Sequence, residues 1–213
     1  MKEFDSAAFV RFLGTFADRI HERRDELTRL DSAIGDADHG INMDRGFTAV
    51  RAKLAELDGS DLGATAKAVG MTLISTVGGA SGPLYGTFFL RLGTAFGEAE
   101  ATDAAGLGAA LRAGLEGVVH RGKAVMDDKT MVDAMSPAVD AYEARSDDGI
   151  SAGLDAAASA AAAGRDRVTP LVARKGRASY LGERAANHQD PGATSTTILF
   201  EALRDALAPG TSG

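Results

Sequence analysis

The 213-residue sequence contains no cysteine, no run of 18 apolar residues and few β-branched stretches. Without cysteine no disulfide can form, so nothing in the composition indicates an oxidising compartment. Without a long apolar run, no membrane-spanning helix is expected. Asp5 and Arg11 also interrupt any signal-peptide pattern near the first residue. We therefore expect a cytoplasmic protein that does not act at a membrane.

Charge and length narrow the class further. The formal net charge of −7 argues against a nucleic-acid partner, because a polyanion attracts basic surfaces. A chain of this length can bury a sizeable core without disulfides. No Pro-rich or Ser-rich linker divides the sequence, which predicts a single domain over residues 1–213.

Apolar residues recur at helical spacing along most of the chain. The first helix is marked by Phe9, Phe12, Leu13, Phe16 and Ile20. Asp5 or Ser6 is a suitable N-cap for it. Further helices are predicted from Met43, from Leu62, and near 84–96, 103–121, 129–145, 150–166 and 192–207.

About eight helices follow from this pattern. Thr169-Pro170 predicts a short additional turn, with threonine as N-cap and proline at the first helical position. Alanine is the best helix former and strand-forming runs are scarce, so the predicted fold class is all-α.

Four loops carry residues that helix packing does not require. The first contains Asp31, Asp36 and Asp38 between Gly35 and Gly40, with Asp31 expected at the end of the first helix. Converged carboxylates repel one another, and Mg²⁺ relieves this while sharing its oxygen ligands with phosphate. The spacing alone is more typical of a solvated acidic turn in which Asp36 or Asp38 is an N-cap.

The other three loops are suited to a phosphate or a base. Residues 78–83 form a glycine-rich turn before a helix, typical of a phosphate cradle but also of a plain interhelical turn. Met131 can belong to the core or lie against an adenine ring. Arg177 can pair with phosphate. Residues 117–124 resemble a P-loop, but Ala124 replaces the required Ser or Thr.

Five motifs in order resemble one family, the nucleotide-binding subunit (DhaL) of dihydroxyacetone kinases. They are DSAIGDADHGINM at 31–43, GGASGPLYG at 78–86, DKTM at 128–131, GRASYLGER at 176–184 and HQDPGATS at 188–195. Two positions depart from the family pattern, which often has glycine at Ala37 and at Asp127. Alanine at position 37 is expected to restrict the loop to ordinary backbone angles.

The resemblance implies an antiparallel barrel of eight amphipathic helices with the nucleotide at one end. It implies ADP or ATP and two Mg²⁺ ions, with Asp31, Asp36 and Asp38 as the metal ligands. The implied nucleotide contacts are His39, Asn42, Ala80, Ser81, Gly122, Met131, Arg177, Asp190, Pro191 and Gly192.

The resemblance also implies a kinase activity that is divided between proteins. A separate subunit holds dihydroxyacetone, and no residue of this chain is expected to act as a nucleophile. A stand-alone chain of this length is typical of the type in which a phosphohistidine protein of the phosphotransferase system rephosphorylates bound ADP. Two alternatives remain, an ATP-dependent two-chain kinase for a ketose such as erythrulose and a non-catalytic nucleotide-binding regulator. A homodimer is a further possibility.

Overall fold

The structure, a computed structural model, describes residues 3–57 and 61–207 and consists almost entirely of helices. Within those residues the α-helices are α1 Ser6–Glu22, α2 Arg24–Ile34, α3 His39–Leu54, α4 Leu62–Thr76, α5 Ser81–Phe96, α6 Ala104–Gly122, α7 Val132–Arg145, α8 Ile150–Val168 and α9 Pro191–Asp205. Two short 3-10 segments, Ser146–Asp148 and Arg177–Ala185, complete the helical elements. The two-residue strands β1 (Phe4–Asp5) and β2 (Ala101–Thr102) pair antiparallel. The predicted all-α class is confirmed.

Aspartate residues start four of the helices. Asp5, Asp61, Asp103 and Asp190 each occupy the N-cap position, and each side chain accepts a hydrogen bond from the backbone N–H three residues later. Such a bond satisfies one of the N–H groups that a helix start leaves unpaired. Of the two N-caps predicted for α1, the structure has Asp5.

Three predicted boundaries were wrong. The first helix breaks at Arg23, whose backbone angles leave the helical range, so Asp31 lies in a separate helix, α2. The described residues therefore contain nine α-helices instead of about eight. Residues 169–170 do form the predicted turn, but Thr169 is the C-cap of α8 instead of an N-cap, and its hydroxyl donates to the carbonyl of Arg165. The helix predicted from residue 129 begins at Val132, because residues 127–130 adopt turn conformations in which Asp127 and Lys129 have positive φ.

The helices contact one another in chain order. From α3 to α9 each helix packs on the next, α1 packs on both α3 and α9, and α2 packs on α3 and α9. One apolar cluster, extending from Phe4 to Leu207, fills the space among them. Glycines allow the closest approach between α4 and α5, since a Cβ at Gly70 would lie 2.7 Å from the carbonyl oxygen of Gly86.

No helix in the described part of the chain is both long enough and apolar enough to cross a bilayer.

Candidate functional site

One cavity of about 420 Å³ lies where the loops after α2, α4, α6 and α8 meet. These are the four loops that the sequence singled out. The predicted site residues that line the cavity are Asp31, Asp36, Asp38, His39, Ala80, Ser81, Gly122, Met131, Arg177, Asp190, Pro191 and Gly192. The structure thus brings together every predicted residue except Asn42.

The three aspartates converge at the end of α2. One carboxylate oxygen from each of Asp31, Asp36 and Asp38 lies within 4.8 Å of the other two. Asp31 is buried, and its Oδ2 accepts from the backbone N–H groups of Asp38 and His39 at 2.8 and 3.0 Å. Asp38 occupies the N-cap position of α3, but its side chain makes no capping bond. Because Asp31 caps α3 instead, the carboxylate of Asp38 remains available to a ligand.

Backbone geometry turns the aspartate loop sharply. A Cβ at Gly35 would lie 2.9 Å from the Cγ of Asp31, so only glycine fits beside this carboxylate. Ala37 has a φ of 60°, in the left-handed region. The expectation that alanine keeps ordinary backbone angles here was wrong, because convergence of Asp36 and Asp38 requires a left-handed residue between them.

His39 connects the aspartate loop to α5 and α9. Its Nδ1 lies 3.0 Å from Ser81 Oγ, and its Nε2 lies 3.0 Å from Ser195 Oγ. Ser195 Oγ in turn lies 2.8 Å from the hydroxyl of Tyr85, which also contacts Thr196. Burial lowers the pKa of His39 to about 4, against the opposing charge of Asp31. The ring is therefore neutral at neutral pH and serves as a hydrogen-bonding group.

Asn42 lies behind the cavity wall. Its Oδ1 accepts from Arg45 at 2.7 Å, and Arg45 also donates to the carbonyl of Thr76. A Cβ at Gly78 would lie 3.0 Å from the amide nitrogen of Asn42. Asn42 thus packs beneath the glycine-rich loop, and its predicted role as a direct nucleotide contact stays a prediction.

The glycine-rich loop presents the start of α5 to the cavity. Gly79 has a φ of 65°, and Ala80 stands at the N-cap position, where its side chain supplies no capping group. The N–H groups of Ser81 and Gly82, at the start of α5, therefore have no capping side chain, and Ser81 itself lines the cavity. Such a helix start attracts anions.

An apolar wall faces the other side of the cavity. It includes Leu84, Val118, Gly122, Ala124 and Met131. Gly122 leaves little spare room, since a Cβ there would lie 3.2 Å from a methyl carbon of Leu84. A flat aromatic base fits such a surface, and Met131, only 5 % exposed, supplies a thioether to it.

The turn into α9 closes the back of the cavity. Burial raises the pKa of Asp190 to about 7, opposed by the N–H of Ala193, which donates to its Oδ2 at 2.7 Å. Nearby Asp133 raises this pKa further and Lys129 lowers it. A Cβ at Gly192 would lie 3.1 Å from the carboxylate of Asp190, so glycine keeps this turn compact.

Arg177 lies at the mouth of the cavity beside the aspartates. Its Nε is 2.9 Å from Asp36 Oδ2, and its side chain is 68 % exposed. An exposed ion pair of this kind contributes little to stability, so the guanidinium can exchange Asp36 for a phosphate at small cost.

Several residues of the cavity were not predicted from the sequence. Arg121 and Lys175 add positive charge to its lining, and Tyr85 and Lys129 lie deeper. Two of them had a usable signal, since Arg121 adjoins Gly122 and Lys175 adjoins the GRASYLGER motif. Tyr85 and Lys129 had none beyond their places within motifs, because their contacts come from distant segments.

The residues fit a magnesium–nucleotide complex. Three carboxylates with oxygens within 4.8 Å of one another form a hard, anionic donor set, which suits Mg²⁺. Asp31 is oriented by two backbone N–H groups, while Asp36 and Asp38 make no such bonds that would have to be broken. The start of α5 and Arg177 suit the phosphates, and the apolar wall suits a base.

Comparison with known proteins agrees with this geometry. The DAK2 domain pattern matches residues 33–205. The chain is 44% identical over 202 residues to the "PEP-dependent dihydroxyacetone kinase 1, ADP-binding subunit DhaL" of Listeria innocua, covering 94% of this chain and 96% of that one. It is 45% identical over 196 residues to the corresponding ADP-binding subunit DhaL of Escherichia coli K12, covering 91% and 93%.

A solved structure shares the fold. The dihydroxyacetone kinase from C. freundii in complex with AMP-PNP and Mg²⁺ superimposes with a TM-score of 0.72 at 26% identity. The alignment covers 95% of this chain and 34% of that one, so this chain spans about a third of that kinase. The chain belongs to the DAK2 domain family and, within it, to the DhaL group of subunits.

Proposed function

We propose that this chain is the ADP-binding subunit of a phosphoenolpyruvate-dependent dihydroxyacetone kinase. It holds ADP or ATP in the cavity and passes the terminal phosphoryl group to dihydroxyacetone on a separate substrate subunit. A phosphohistidine protein then rephosphorylates the bound ADP in place. The observation that carries the proposal is the convergence of Asp31, Asp36 and Asp38 beside a phosphate cradle and an apolar wall.

The three aspartates would hold two Mg²⁺ ions. When bound, Mg²⁺ neutralises phosphate charge, which is the main requirement of phosphoryl transfer. Asp31 fixes the geometry because it is anchored by the backbone of Asp38 and His39. The start of α5 with Ser81 accommodates phosphate oxygens, and Arg177 supplies a mobile positive charge.

The mouth of the cavity must be accessible to the partner proteins, because a phosphoryl group passes between them and the bound nucleotide. Ser81 and Ser195 both contact His39, but burial lowers the pKa of this imidazole to about 4, so it is too weak a base to take a proton from either hydroxyl at neutral pH. This supports an acceptor hydroxyl and a phosphohistidine donor that both come from partner proteins. A homodimer and a cytoplasmic location stay predictions.

We also propose that residues 1–213 form one domain, an antiparallel barrel of eight amphipathic helices with the nucleotide at one end. The closed succession of contacts through α1 and α3 to α9 supports it. So does the single apolar cluster that the described helices share. Helix α2 is an addition that brings Asp31 to the rim.

Two other functions share this site. One is an ATP-dependent kinase for a related ketose such as erythrulose, and the other is a nucleotide-binding regulator without catalysis. Reconstitution separates the three. The purified chain is mixed with a cognate substrate subunit and either ATP or phosphoenolpyruvate with the phosphotransferase proteins, and ketose phosphate is measured for dihydroxyacetone and erythrulose.

If the proposed function is correct, dihydroxyacetone phosphate should form in the mixture that contains phosphoenolpyruvate and the phosphotransferase proteins. Catalytic amounts of ADP should suffice, and no ATP should be consumed. Asp36→Ala should abolish it, whereas Asp155→Ala, an exposed acid on α8, should leave turnover unchanged. Turnover only with stoichiometric ATP would favour the ATP-dependent kinase. Nucleotide binding without turnover in any mixture would favour the regulator, and full activity of Asp36→Ala would contradict the metal site.

A further inference from the structure

Lys129 is a buried lysine whose ammonium group uses all three of its hydrogen-bond donors. Its side chain lines the cavity, yet the residue is only 1 % exposed. Its Nζ donates to three backbone carbonyls, those of Thr169 and Leu171 at 2.9 Å each and of Ala185 at 2.6 Å. An ammonium group has three N–H donors, so none is left for a phosphate.

All three carbonyls belong to one segment, residues 169–185, which we call the arm. Two lie at its start and one at its end, so Lys129 holds both ends of the arm at a single point. Between them the arm carries Lys175, Gly176 and Arg177 to the mouth of the cavity. The position of Arg177 beside Asp36 therefore depends on how the arm is attached.

The other attachments of the arm are few. Ala173, Ala178 and Ala185 pack with Ile34 in a small apolar cluster that is separate from the main core. The N–H of Arg174 donates to the carbonyl of Asp128 at 2.9 Å, directly beside Lys129. The pair between Arg177 and Asp36 is exposed. A segment with so little apolar burial opens at low free energy unless polar bonds hold it.

We propose that Lys129 is a positioning residue that fastens the arm over the nucleotide cavity and thereby sets how long the nucleotide stays bound. It acts through the arm and through Arg177, and it does not contact the phosphates. The proposal rests on the proposed nucleotide site for its second half. Attachment of the arm by Lys129 is a property of the chain alone.

The first measurement is amide hydrogen exchange of the nucleotide-free chain. Lys129→Met keeps an apolar side chain of similar length but removes all three donors, and Lys129→Gln retains two. Exchange at the amides of Leu171, Arg174 and Ala186 should accelerate at least about tenfold in Lys129→Met, because charge-assisted hydrogen bonds are lost. Lys129→Gln should be intermediate, and helices α4 and α5 should keep their protection. Lys67→Met, at an exposed lysine of α4, is the control.

The second measurement is the release rate of a fluorescent ADP with Mg²⁺ present. Release should accelerate about tenfold or more in Lys129→Met, with the same order among the variants as in hydrogen exchange. If Lys129 acts through Arg177, the effects of Lys129→Met and Arg177→Ala should not add, so that the double variant releases ADP hardly faster than Lys129→Met. A purely structural role would give additive effects.

The outcomes separate this proposal from the proposed function. A parent chain that does not bind the fluorescent ADP would contradict the nucleotide site, while hydrogen exchange would still test the attachment of the arm. Unchanged exchange in the arm of both Lys129 variants would overturn the attachment. Faster exchange with an unchanged release rate, or additive effects with Arg177→Ala, would overturn the control of nucleotide release.

Discussion

The carboxylate of Asp31 accepts a hydrogen bond from the backbone N–H of His39 at 3.0 Å, so the end of α2 caps the start of α3. The same carboxylate is one of the three that converge at the site. Asp31 is therefore a structural residue and a candidate metal ligand at once. Asp38, without a capping bond, is expected to be a ligand only.

This difference predicts different costs of substitution. Asp31→Ala should lower the free energy of unfolding by about 1–3 kcal/mol even without metal, because the buried N–H of His39 and the partly buried N–H of Asp38 lose their acceptor. Asp38→Ala should cost less than about 0.5 kcal/mol under the same conditions. Urea unfolding in EDTA measures both. Equal losses in the two variants would show that the capping bond of Asp31 contributes nothing.

The left-handed backbone at Ala37 predicts a stabilising substitution. A residue with a Cβ is strained at a φ of 60°, whereas glycine is not. Ala37→Gly should raise the free energy of unfolding by about 0.5–1 kcal/mol, and Ala37→Val should lower it. Thermal unfolding of the nucleotide-free chain checks both signs. A loss of stability in Ala37→Gly would contradict the loop conformation.

The buried carboxyl of Asp190 predicts a pH-dependent stability. Its pKa is raised to about 7 in the folded chain, so the folded state favours the protonated form. The stabilisation is complete below the pKa of the unfolded chain and is lost as the pH rises through 7.

Asp190→Asn mimics the protonated form and keeps a capping side chain. It should be more stable than the parent chain at pH 8, by on the order of 4 kcal/mol, and the difference should shrink below pH 7 and vanish only near about pH 4, the pKa of an aspartate in the unfolded chain. Urea unfolding between about pH 4 and pH 8 gives both curves. A constant difference across this range would show that Asp190 ionises normally.

Ser195 connects two buried polar side chains, His39 and Tyr85. Ser195→Ala should leave the Nε2 of His39 without a partner and cost about 1–3 kcal/mol of stability. The ring would then be free to turn away from Ser81, and affinity for Mg-ADP should fall. Calorimetric titration measures the affinity, and Ser159→Ala, at an exposed serine of α8, is the control. Unchanged affinity in Ser195→Ala would contradict a positioning role for this bond.

The sequence allowed much of this architecture to be predicted. Helical periodicity revealed the all-α class, since apolar spacing records which face of each helix is buried. The helix break at Arg23 could not be predicted in this way. The amphipathic pattern continues from α1 into α2, and only the direction of the helix axis changes. The predicted N-cap at Thr169 was wrong for a related reason. A threonine hydroxyl can cap the start of a helix or donate to a carbonyl in the last turn of the preceding helix, as it does here.

The candidate site also has features that the sequence predicts and features that it does not. Asp31, Asp36 and Asp38 were recognisable because their spacing and glycines are local features. Asp31, and not the N-cap residue Asp38, caps the start of α3. This could not be predicted, because it depends on the angle between α2 and α3 and not on the local sequence. The contacts of Lys129 and Tyr85 join segments that are distant in the chain, and only the folded structure brings them together.

We propose that three aspartates at the rim of one cavity bind a nucleotide through Mg²⁺. This is tested by calorimetric titration with ADP, once in buffer containing Mg²⁺ and once in buffer containing EDTA. Both the parent chain and Asp36→Asn are titrated. We expect tight binding by the parent with Mg²⁺, and at least about tenfold weaker binding in EDTA or in Asp36→Asn. Equal affinity in all of these conditions, or no binding by the parent with Mg²⁺, would contradict it.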